Sequence, residues 1–305
     1  MEHVSCNLCG ADDAEVRFPS TMLEENGHPA DPEHFRCTTL SYGQHYRIVR
    51  CRGCGLVYTD PRRPPAAIMQ DYEQVVDAQY LAEREGRLAT FRRNIVPLEE
   101  RVGSHNGHRL LDVGAHVGVF VEVAGERGWD GWGLEPSRWA VEQGRARGLK
   151  MIQGTLRDAE LDSDSFDAVT MWDVVEHLLD PMTEIREVAR VLKPGGVFCV
   201  HTINVESPFA RLMGKRWPWL VEMHQVFFSP RTLASMAEKA GLGVESWHVQ
   251  GRYLHLGYLL SRLSGWNVRL GRRAEGLARA LHIDQWLIPV NFGDLFTLYA
   301  RKPGK

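Results

Sequence analysis

The segment that most constrains this chain is residues 110–118, which read LLDVGAHVG. It predicts a short buried strand, a turn bounded by glycines and then a helix. Glycines at 114 and 118 permit positive φ, so backbone N–H groups and a helix N-terminus can approach a nucleotide-like ligand closely. Glu135 ends a second short strand at residues 131–135, where doubly wound α/β folds place an acid that binds ribose hydroxyls. The two features together predict an α/β fold with a site for a cofactor built on adenosine.

The glycine pattern separates two kinds of adenosine cofactor. A dinucleotide-binding turn reads Gly-x-Gly-x-x-Gly, and its glycines would fall on Gly114, His116 and Val119. Because two of these three positions are not glycine, the turn shows no site where a pyrophosphate could approach the backbone closely. An NAD(P)-dependent oxidoreductase therefore remains an alternative that the sequence disfavours.

An acid precedes the first glycine instead, at Asp112, and a further glycine follows at Gly118. This arrangement resembles motif I of the class I S-adenosylmethionine-dependent methyltransferases, commonly Asp/Glu-x-Gly-x-Gly-x-Gly. The chain departs from that pattern at His116, which stands where the family has its middle glycine. We expect His116 to narrow the turn beside the methionine end of the cofactor.

Later segments follow in the order and spacing of the same family. Residues 165–173 (SFDAVTMWD) predict a strand, residues 174–181 (VVEHLLDP) lead into a helix from about 182 to 192, and KPGG at 193–196 ends it before an apolar strand at 197–200. This run is similar to the methyltransferase subfamily that includes the quinone-biosynthesis methyltransferases, in detail over 105–205 and more loosely over 220–302. The resemblance implies a Rossmann-like fold with a seven-stranded, mostly parallel sheet, completed by late strands at 244–249 and 296–300.

The resemblance also implies a set of cofactor-binding residues. Asp112 is expected to hold the glycine turn and bind the amino end of the methionine moiety, and Glu135 to take both ribose hydroxyls. Thr155 follows the third strand of the core, beside the expected adenine position. The whole expected set is Asp112, Gly114, Ala115, His116, Gly118, Glu135, Pro136, Thr155, Leu156, Trp172 and Asp173.

Methyl transfer is an in-line displacement, so such an enzyme chiefly positions and desolvates two reactants. A hydroxyl acceptor also needs a base, and His177, just beyond the fourth core strand, is our first candidate. His224, which opens the segment expected to cover the acceptor, is the second, and His201 is a further one. Each could instead be a structural histidine whose ring is hydrogen-bonded to the backbone. Glu176 is expected to orient a neighbour or to cap a helix rather than to act chemically.

Four of the six cysteines form a second strong signal. Cys6 and Cys9, like Cys51 and Cys54, form a Cys-x-x-Cys-Gly knuckle, in which a tight turn places two thiolates on one side. Two knuckles supply a tetrahedral four-sulfur site that suits a structural Zn²⁺. The alternatives are a pair of disulfides or a redox Cys-x-x-Cys, which a reducing compartment and the duplication of the motif disfavour. We expect a strand-rich insertion at 10–50 between the knuckles, and we expect Cys199, in an apolar strand, to be a core residue.

The chain then divides into three predicted parts. Residues 1–62 form the zinc-ribbon-like module, 63–104 a helical linker or lid that begins with a stiff Pro-rich stretch, and 105–305 the methyltransferase domain, with lid insertions at about 206–228 and 251–292. One face of a helix in the second insertion is expected to carry Leu256, Leu259, Leu260, Leu263 and Trp266. The packing residues predicted for the linker helices are Tyr72, Val76, Tyr80, Leu88, Phe91, Ile95 and Leu98.

Composition limits the classes of partner. The 305-residue chain is 44% hydrophobic and 25% charged, with a net charge of −3, which is typical of a globular protein with no polyanionic partner. We expect a cytoplasmic protein without stable membrane insertion, since neither a signal-like start nor a long apolar run is seen. A nucleic-acid adaptor is the remaining alternative, because Arg47, Arg50, Arg52, Arg62 and Arg63 make the module locally basic. The favoured function is methyl transfer to a small hydroxylated acceptor (a sugar, glycan precursor or secondary metabolite), by O-methylation, with C- or N-methylation open. The oligomeric state is open as well.

Overall fold

The computed structural model describes residues 1–22, 35–38, 41–104, 106–265 and 267–304. The strands in these ranges are β1 (Ala14–Phe18), β2 (Ile48–Cys51), β3 (Val57–Thr59), β4 (Arg109–Val113), β5 (Asp130–Glu135), β6 (Lys150–Gln153), β7 (Phe166–Trp172), β8 (Leu192–Ile203), β9 (Val226–Phe227), β10 (Gly243–Val249), β11 (Arg252–His255), β12 (Leu287–Val290) and β13 (Leu295–Arg301). The helices are α1 (Pro65–Gln74), α2 (Ala78–Ala82), α3 (Arg84–Asn94), α4 (Val96–Val102), α5 (Val119–Glu126), α6 (Arg138–Arg145), α7 (Pro181–Val191), α8 (Pro208–Met213), α9 (Pro230–Lys239), α10 (Leu256–Ser261) and α11 (Val268–Ala280).

The central sheet has seven strands in the order β10-β13-β8-β7-β4-β5-β6. Strands β6, β5, β4, β7 and β8 are parallel neighbours, and β13 runs antiparallel to β8 and to β10. The predicted seven-stranded, mostly parallel Rossmann-like sheet is therefore confirmed, including the two late strands. Because these strands are parallel, the carboxyl ends of β4, β5 and β7 lie at one edge of the sheet, where ligands bind in open α/β sheets.

Apolar strands make the centre of this sheet. In β7 and β8 the side chains of Val169, Met171, Cys199 and Val200 are fully buried, as expected for parallel strands covered by helices on both faces. Cys199 is thus a core residue, as predicted. The amphipathic helix α9 begins at the predicted place, because the Ser229 side chain accepts a hydrogen bond from the backbone N–H of Thr232.

The KPGG run differs from its prediction. Helix α7 ends at Val191, but β8 already begins at Leu192, so the run lies inside the strand. The ladder with β7 shifts register between Phe166 and Ala168, and Gly195 has φ +80°. Gly195 N–H donates to the Lys302 carbonyl at 2.9 Å. Pairing with the C-terminal residues therefore keeps this irregular start extended, a contact that no local pattern could indicate.

The N-terminal module shares a sheet with the larger domain. Strand β9 lies in the predicted 206–228 insertion, and it completes the four-stranded sheet β1-β2-β3-β9. Lys239 Nζ donates to the Leu8 carbonyl at 2.9 Å, and Asn7 Nδ2 to Asp180 Oδ1 at 2.8 Å, which fixes the first knuckle on α9 and the start of α7. Within 10–50, β1 and the start of β2 are the strands seen, while 23–34 and 39–40 lie outside the described residues.

The linker region is helical and packs against the core. Of its predicted packing residues, Tyr80, Leu88, Ile95 and Leu98 are buried and Tyr72 and Phe91 are half-buried. Val76 is 47% exposed, and its prediction was wrong because α1 ends at Gln74 and the helical period is broken there.

The Pro-rich stretch at the start of the linker region is anchored rather than free. The buried Arg63 Nη1 lies 2.6 Å from Asp71 Oδ2 and 3.5 Å from Glu222 Oε1.

The second insertion, 251–292, forms a small two-stranded sheet, β11-β12, besides the helices α10 and α11. Tyr253 N–H donates to Thr90 Oγ1 at 2.8 Å, so β11 packs on α3 of the linker region. Leu256, Leu259, Leu260 and Leu263 are half-buried, and Trp266 lies outside the described residues. Across the described part of the chain, no helix combines the length and the hydropathy that crossing a membrane would need.

Candidate functional site

The turn after β4 has the left-handed backbone that its glycines predict. Gly114 and Gly118 have φ values of +69° and +82°, and His116 has +48°. A Cβ atom on Gly114 would clash with the Val174 side chain, and one on Gly118 would lie 2.7 Å from Leu149 Cδ1. Glycine is therefore required at both positions by conformation and by space. His116 occupies a backbone region that residues other than glycine rarely adopt.

Glu135 links the end of β5 to this turn. Its Oε2 accepts a hydrogen bond from His116 N–H at 2.9 Å, and its Oε1 accepts one from Ser137 N–H at 2.8 Å. Burial raises the pKa of Glu135 to about 7, although the two backbone donors favour the ionised form. Each carboxylate oxygen can accept more than one hydrogen bond, so both keep capacity for a further donor such as a ribose diol.

Asp112 is tied to the neighbouring strand. Thr170 Oγ1, on β7, donates to Asp112 Oδ1 at 2.7 Å. Burial raises the pKa of Asp112 to about 8, and the nearby Glu135 adds to this shift. Burial therefore favours the protonated form of this carboxyl group when no cation lies beside it.

The predicted adenine-side residues follow β5 and β6 at the same edge. Pro136 is half-buried directly after Glu135. Thr155 Oγ1 donates to Asp158 Oδ2 at 2.7 Å, and the Leu156 side chain is buried in the main hydrophobic cluster. Both side chains are therefore engaged in local structure, and Ala115, within the glycine turn, is buried.

Two residues of the linker region cover the turn, and neither belongs to a recognisable site motif. The Tyr80 ring stacks on His116 at 3.7 Å between centroids, and the Arg87 guanidinium lies 3.5 Å above the Tyr80 ring. Burial, aided by Arg87 and Arg147, lowers the pKa of His116 to about 3, so the imidazole is neutral. Sequence reasoning identified Tyr80 only as a packing residue and missed Arg87.

This stack and the end of β7 contain polar atoms without partners. His116 Nδ1 and Nε2, Arg87 Nε and Trp172 Nε1 are all buried with no hydrogen-bond partner among the described residues. Buried polar groups in proteins are nearly always hydrogen-bonded. The unpartnered atoms of His116 and Arg87 beside the glycine turn therefore fit a polar ligand enclosed there, as a bound S-adenosylmethionine would be.

The end of β7 carries a charged group. Asp173 has φ +56°, and its Oδ1 lies 3.1 Å from Arg252 Nη2 and 3.7 Å from His201 Nε2. Burial opposes ionisation of Asp173, yet Arg252 and His201 hold its pKa below the usual value. The other ring nitrogen of His201 lies 2.9 Å from Thr297 Oγ1, so both nitrogens of this histidine face partners. The structure thus leaves His201 less free to act as a base than the other two candidates.

His177 and His224 lie side by side, with ring centroids 4.8 Å apart. The Nδ1 of His177 is 3.1 Å from the Met223 carbonyl oxygen, and the Nδ1 of His224 is 2.8 Å from that of Trp219. A carbonyl only accepts, so Nδ1–H is the donor in each case and Nε2 keeps its lone pair. Burial lowers the pKa of His177 to about 4, and burial together with His177 lowers that of His224 well below its usual value.

Glu176 completes this group. It is buried, and Thr202 Oγ1 donates to its Oε2 at 2.7 Å. Burial and the charge of Asp173 raise its pKa to about 8. Glu176, His177 and His224 each offer one ligand atom, and these atoms lie within 4.8 Å of one another.

The two knuckles meet as predicted. The Sγ atoms of Cys6 and Cys54 are 3.4 Å apart, those of Cys9 and Cys51 are 3.5 Å apart, and all four lie within 4.8 Å of one another. A disulfide would need about 2.05 Å, and all six cysteines are free. Thiolates around a tetrahedral Zn²⁺ at about 2.3 Å are separated by about 3.8 Å, close to what is seen.

The five arginines that make the sequence of the module locally basic each lie near an acid. The pairs are Arg47 with Asp60 at 3.5 Å, Arg50 with Glu206 at 3.8 Å, Arg52 with Asp13 at 3.5 Å, Arg62 with Glu2 at 2.9 Å and Arg63 with Asp71 at 2.6 Å. The charge of these five arginines is therefore compensated by acids in three dimensions.

Comparisons with known proteins agree with this geometry. The methyltransferase-domain family Methyltransf_23 matches residues 80–246. The ubiquinone biosynthesis O-methyltransferase of Alkalilimnicola ehrlichii is 31% identical over 159 residues, which are 48% of this chain and 64% of that protein. The protein of the same name from Aeromonas salmonicida is 31% identical over 162 residues, which are 48% of this chain and 67% of that protein. The chain thus spans less than two thirds of the first of these relatives.

Solved structures share the fold at low identity. A chain of the Haloferax volcanii complex between the Trm112 methyltransferase activator and a methyltransferase aligns with a TM-score of 0.53 and 18% identity, over 74% of this chain and 96% of that one. The YcgJ protein from Bacillus subtilis aligns with a TM-score of 0.50 and 20% identity, over 70% of this chain and 99% of that one. Since the family match at residues 80–246 covers more than half of the 305 residues and the sheet is seven-stranded and mostly parallel, this chain belongs to the class I methyltransferase domain family.

Proposed function

We propose that this protein transfers the methyl group of S-adenosylmethionine to a hydroxyl of a small acceptor. The observation that carries the proposal is Glu135, whose buried carboxylate is held on the glycine turn by two backbone N–H groups and keeps capacity for a diol. A nicotinamide dinucleotide is disfavoured, because His116 and Val119 replace the glycines that a pyrophosphate needs.

The residues around the turn fit the two ends of this cofactor. Glu135 would accept hydrogen bonds from the ribose hydroxyls, and Arg87, which has no acid within ion-pair distance among the described residues, would bind the methionine carboxylate. Asp112 lies beneath the turn, where an ammonium group would lower its raised pKa. S-adenosylmethionine supplies an electrophilic methyl group on sulfur, and Tyr80 and the linker helices would exclude water from it.

The acceptor would bind beside the two histidines beyond β7. A hydroxyl oxygen there would form the new C–O bond as the methyl–sulfur bond breaks, and the hydroxyl proton would pass to an imidazole Nε2. His177 is our first candidate for that base and His224 the second, since Nδ1–H of each donates to a carbonyl and leaves Nε2 as an acceptor. The names of the two relatives support O-methylation, while C- or N-methylation of a sugar, glycan precursor or secondary metabolite is the alternative within this class.

We also propose that the four knuckle cysteines hold one structural Zn²⁺. Four thiolates close the coordination shell, so the ion would have no position for water or substrate. A reducing, cytoplasmic location fits four free thiols at this spacing. The competing role as a nucleic-acid adaptor is disfavoured, because Arg47, Arg50, Arg52, Arg62 and Arg63, the residues that suggested it, already lie beside acids.

Two measurements test the function. Calorimetry should give micromolar dissociation constants for S-adenosylmethionine and S-adenosylhomocysteine and no binding of NAD(H) or NADP(H). Radiolabelled methyl transfer to a panel of hydroxylated sugars and phenols should then identify the acceptor class. With that acceptor, His177→Ala should lower kcat by about 100-fold while cofactor affinity stays within a factor of two or so. Dinucleotide binding in place of the sulfonium cofactor would refute the proposal.

A further inference from the structure

Helix α11 of the second insertion carries an apolar stripe that faces solvent. Leu270, Leu277 and Leu281, the last of them directly after the helix, are each more than half exposed. Because they are spaced seven and four residues apart, they lie on one side of the helix. Trp286, directly before β12, is also more than half exposed. Single exposed apolar residues are common in proteins, but an exposed apolar stripe indicates an interaction surface.

A different side of α11 packs on the rest of the protein. Gly271 and Ala278 are its buried residues, and they lie on one side of the helix because they are seven residues apart. A Cβ atom on Gly271 would clash with the side chain and backbone of Ser264. This close approach fixes the rotation of the helix about its own axis. The leucine stripe therefore cannot turn inward without displacing the segment that contains Ser264.

Exposed arginines lie beside the leucine stripe. Arg269, Arg272 and Arg273 are exposed, and in the described part of the chain no acid lies within ion-pair distance of them. The acid in the sequence of this helix, Glu275, pairs instead with Arg279. By the helical period, Arg269 and Arg273 flank the leucine stripe on the side away from the buried face. The circumference of α11 thus carries a packing face, an apolar stripe and a basic stripe in that order.

We propose that α11 docks on an anionic lipid membrane and lies in the plane of its surface. The leucines and Trp286 enter the boundary between headgroups and acyl chains, and the arginines bind lipid phosphates. A helix with leucine and tryptophan on one side and arginine on another is typical of this interfacial binding. Each arginine near an anionic surface strengthens binding by about fivefold. The contact is peripheral and reversible, so it requires no helix that crosses the membrane.

A second copy of the chain is the other occupant that an apolar stripe could take, and the charges disfavour it. A two-fold interface places the same surface of both copies face to face. The arginines of the two basic stripes would then approach one another, and like charges brought together across an interface weaken it. Anionic lipid supplies both the apolar layer for the leucines and the negative charge for the arginines.

Cosedimentation of the full-length protein with sucrose-loaded vesicles tests this surface without knowledge of the acceptor. The protein should bind vesicles that contain phosphatidylglycerol, and it should bind vesicles of phosphatidylcholine alone more weakly by roughly 100-fold, about fivefold for each arginine. The double variant Leu277→Gln/Leu281→Gln should weaken binding to the anionic vesicles by about tenfold or more. The double variant Arg269→Gln/Arg273→Gln should weaken it by roughly 25-fold. High salt should weaken the binding of the wild type, because it screens the charges of the arginines.

The matched controls are Val16→Gln and Arg186→Gln, at an exposed valine of β1 and an exposed arginine of α7, which should leave vesicle binding unchanged. Weaker binding of both double variants, with both controls unchanged, supports the membrane surface. Wild-type protein that binds no anionic vesicles, or that binds both kinds of vesicle equally, overturns the proposal. A dimer that light scattering shows to dissociate in Leu277→Gln/Leu281→Gln assigns the stripe to a second copy and also overturns it. These results do not depend on methyl transfer, so the proposed function stands or fails separately.

Discussion

Replacing Glu135 tests cofactor binding most directly, because one carboxylate both shapes the glycine turn and faces the expected ribose. Glu135→Ala would remove the acceptor for His116 N–H and Ser137 N–H, which now lie 2.9 Å and 2.8 Å from its oxygens. Glu135→Gln keeps the side-chain shape and one acceptor oxygen, but it turns an NH₂ group toward the second backbone donor. The pair of variants therefore separates loss of the turn from loss of the ligand contact.

The expected magnitudes follow from these contacts. A buried donor that loses its acceptor costs about 1–3 kcal/mol. Glu135→Ala strands two such donors, so it should lower the free energy of unfolding by roughly 2–6 kcal/mol, and Glu135→Gln by roughly half of that. Loss of charge-assisted hydrogen bonds to a diol should cost on the order of 2 kcal/mol of binding free energy. That corresponds to a dissociation constant for S-adenosylmethionine raised by about 30-fold.

Urea unfolding measures the change in the free energy of unfolding, and calorimetry with S-adenosylhomocysteine at 25 °C measures the change in cofactor affinity. The control is Glu142→Gln on α6, whose exposed carboxylate pairs only with exposed Arg138 at 2.8 Å among its described contacts. This control should change neither quantity measurably, since exposed ion pairs are screened by solvent. A Glu135→Gln protein that unfolds like the wild type and keeps its affinity would refute the assigned cofactor position.

Further predictions concern the zinc site, Asp112 and Arg87. In Cys54→Ser, elemental analysis should find less than one zinc per chain, and the first ~60 residues should be cleaved faster by protease. Calorimetry should show that this variant still binds S-adenosylhomocysteine. Wild-type protein that is fully stable without zinc would contradict the prediction. Burial raises the pKa of Asp112 to about 8. The Asp112 carboxyl group thus keeps its proton in the folded chain at pH values where the unfolded chain, with a pKa of about 4, has lost it. Asp112 therefore lowers the free energy of unfolding as the pH rises from about 4 to 8. The free energy of unfolding of Asp112→Asn, measured with urea across that pH range, should rise relative to that of the wild type as the pH rises. A difference between the two proteins that does not change with pH would contradict the raised pKa of Asp112. Arg87→Met should raise the dissociation constant of S-adenosylmethionine at least tenfold but leave that of methylthioadenosine, which lacks the carboxylate, unchanged; equal losses for both would contradict a carboxylate contact.

The sequence alone determined the parts of this protein that depend on neighbours along the chain. The left-handed turn at Gly114 and Gly118, the acid at the end of β5 and the apolar strands of the sheet all follow from local conformational preference and periodicity. The same holds for the two knuckles, because their spacing fixes the thiols within each turn, and for the cap at Ser229. These signals identified the fold class and predicted which residues lie at the ligand-binding edge of the sheet.

Tertiary structure alone decided which distant groups meet. No pattern places His224 beside His177, puts Arg87 above Tyr80 and His116, or adds β9 to the sheet of the cysteine module. Such contacts depend on how whole helices and insertions pack once the apolar surface is buried, and that free energy is summed over the core rather than encoded in a short segment. The same reason explains two wrong predictions. Val76 is exposed because a break between helices interrupts the helical pattern there, and the KPGG run is extended because it pairs with the C-terminal residues.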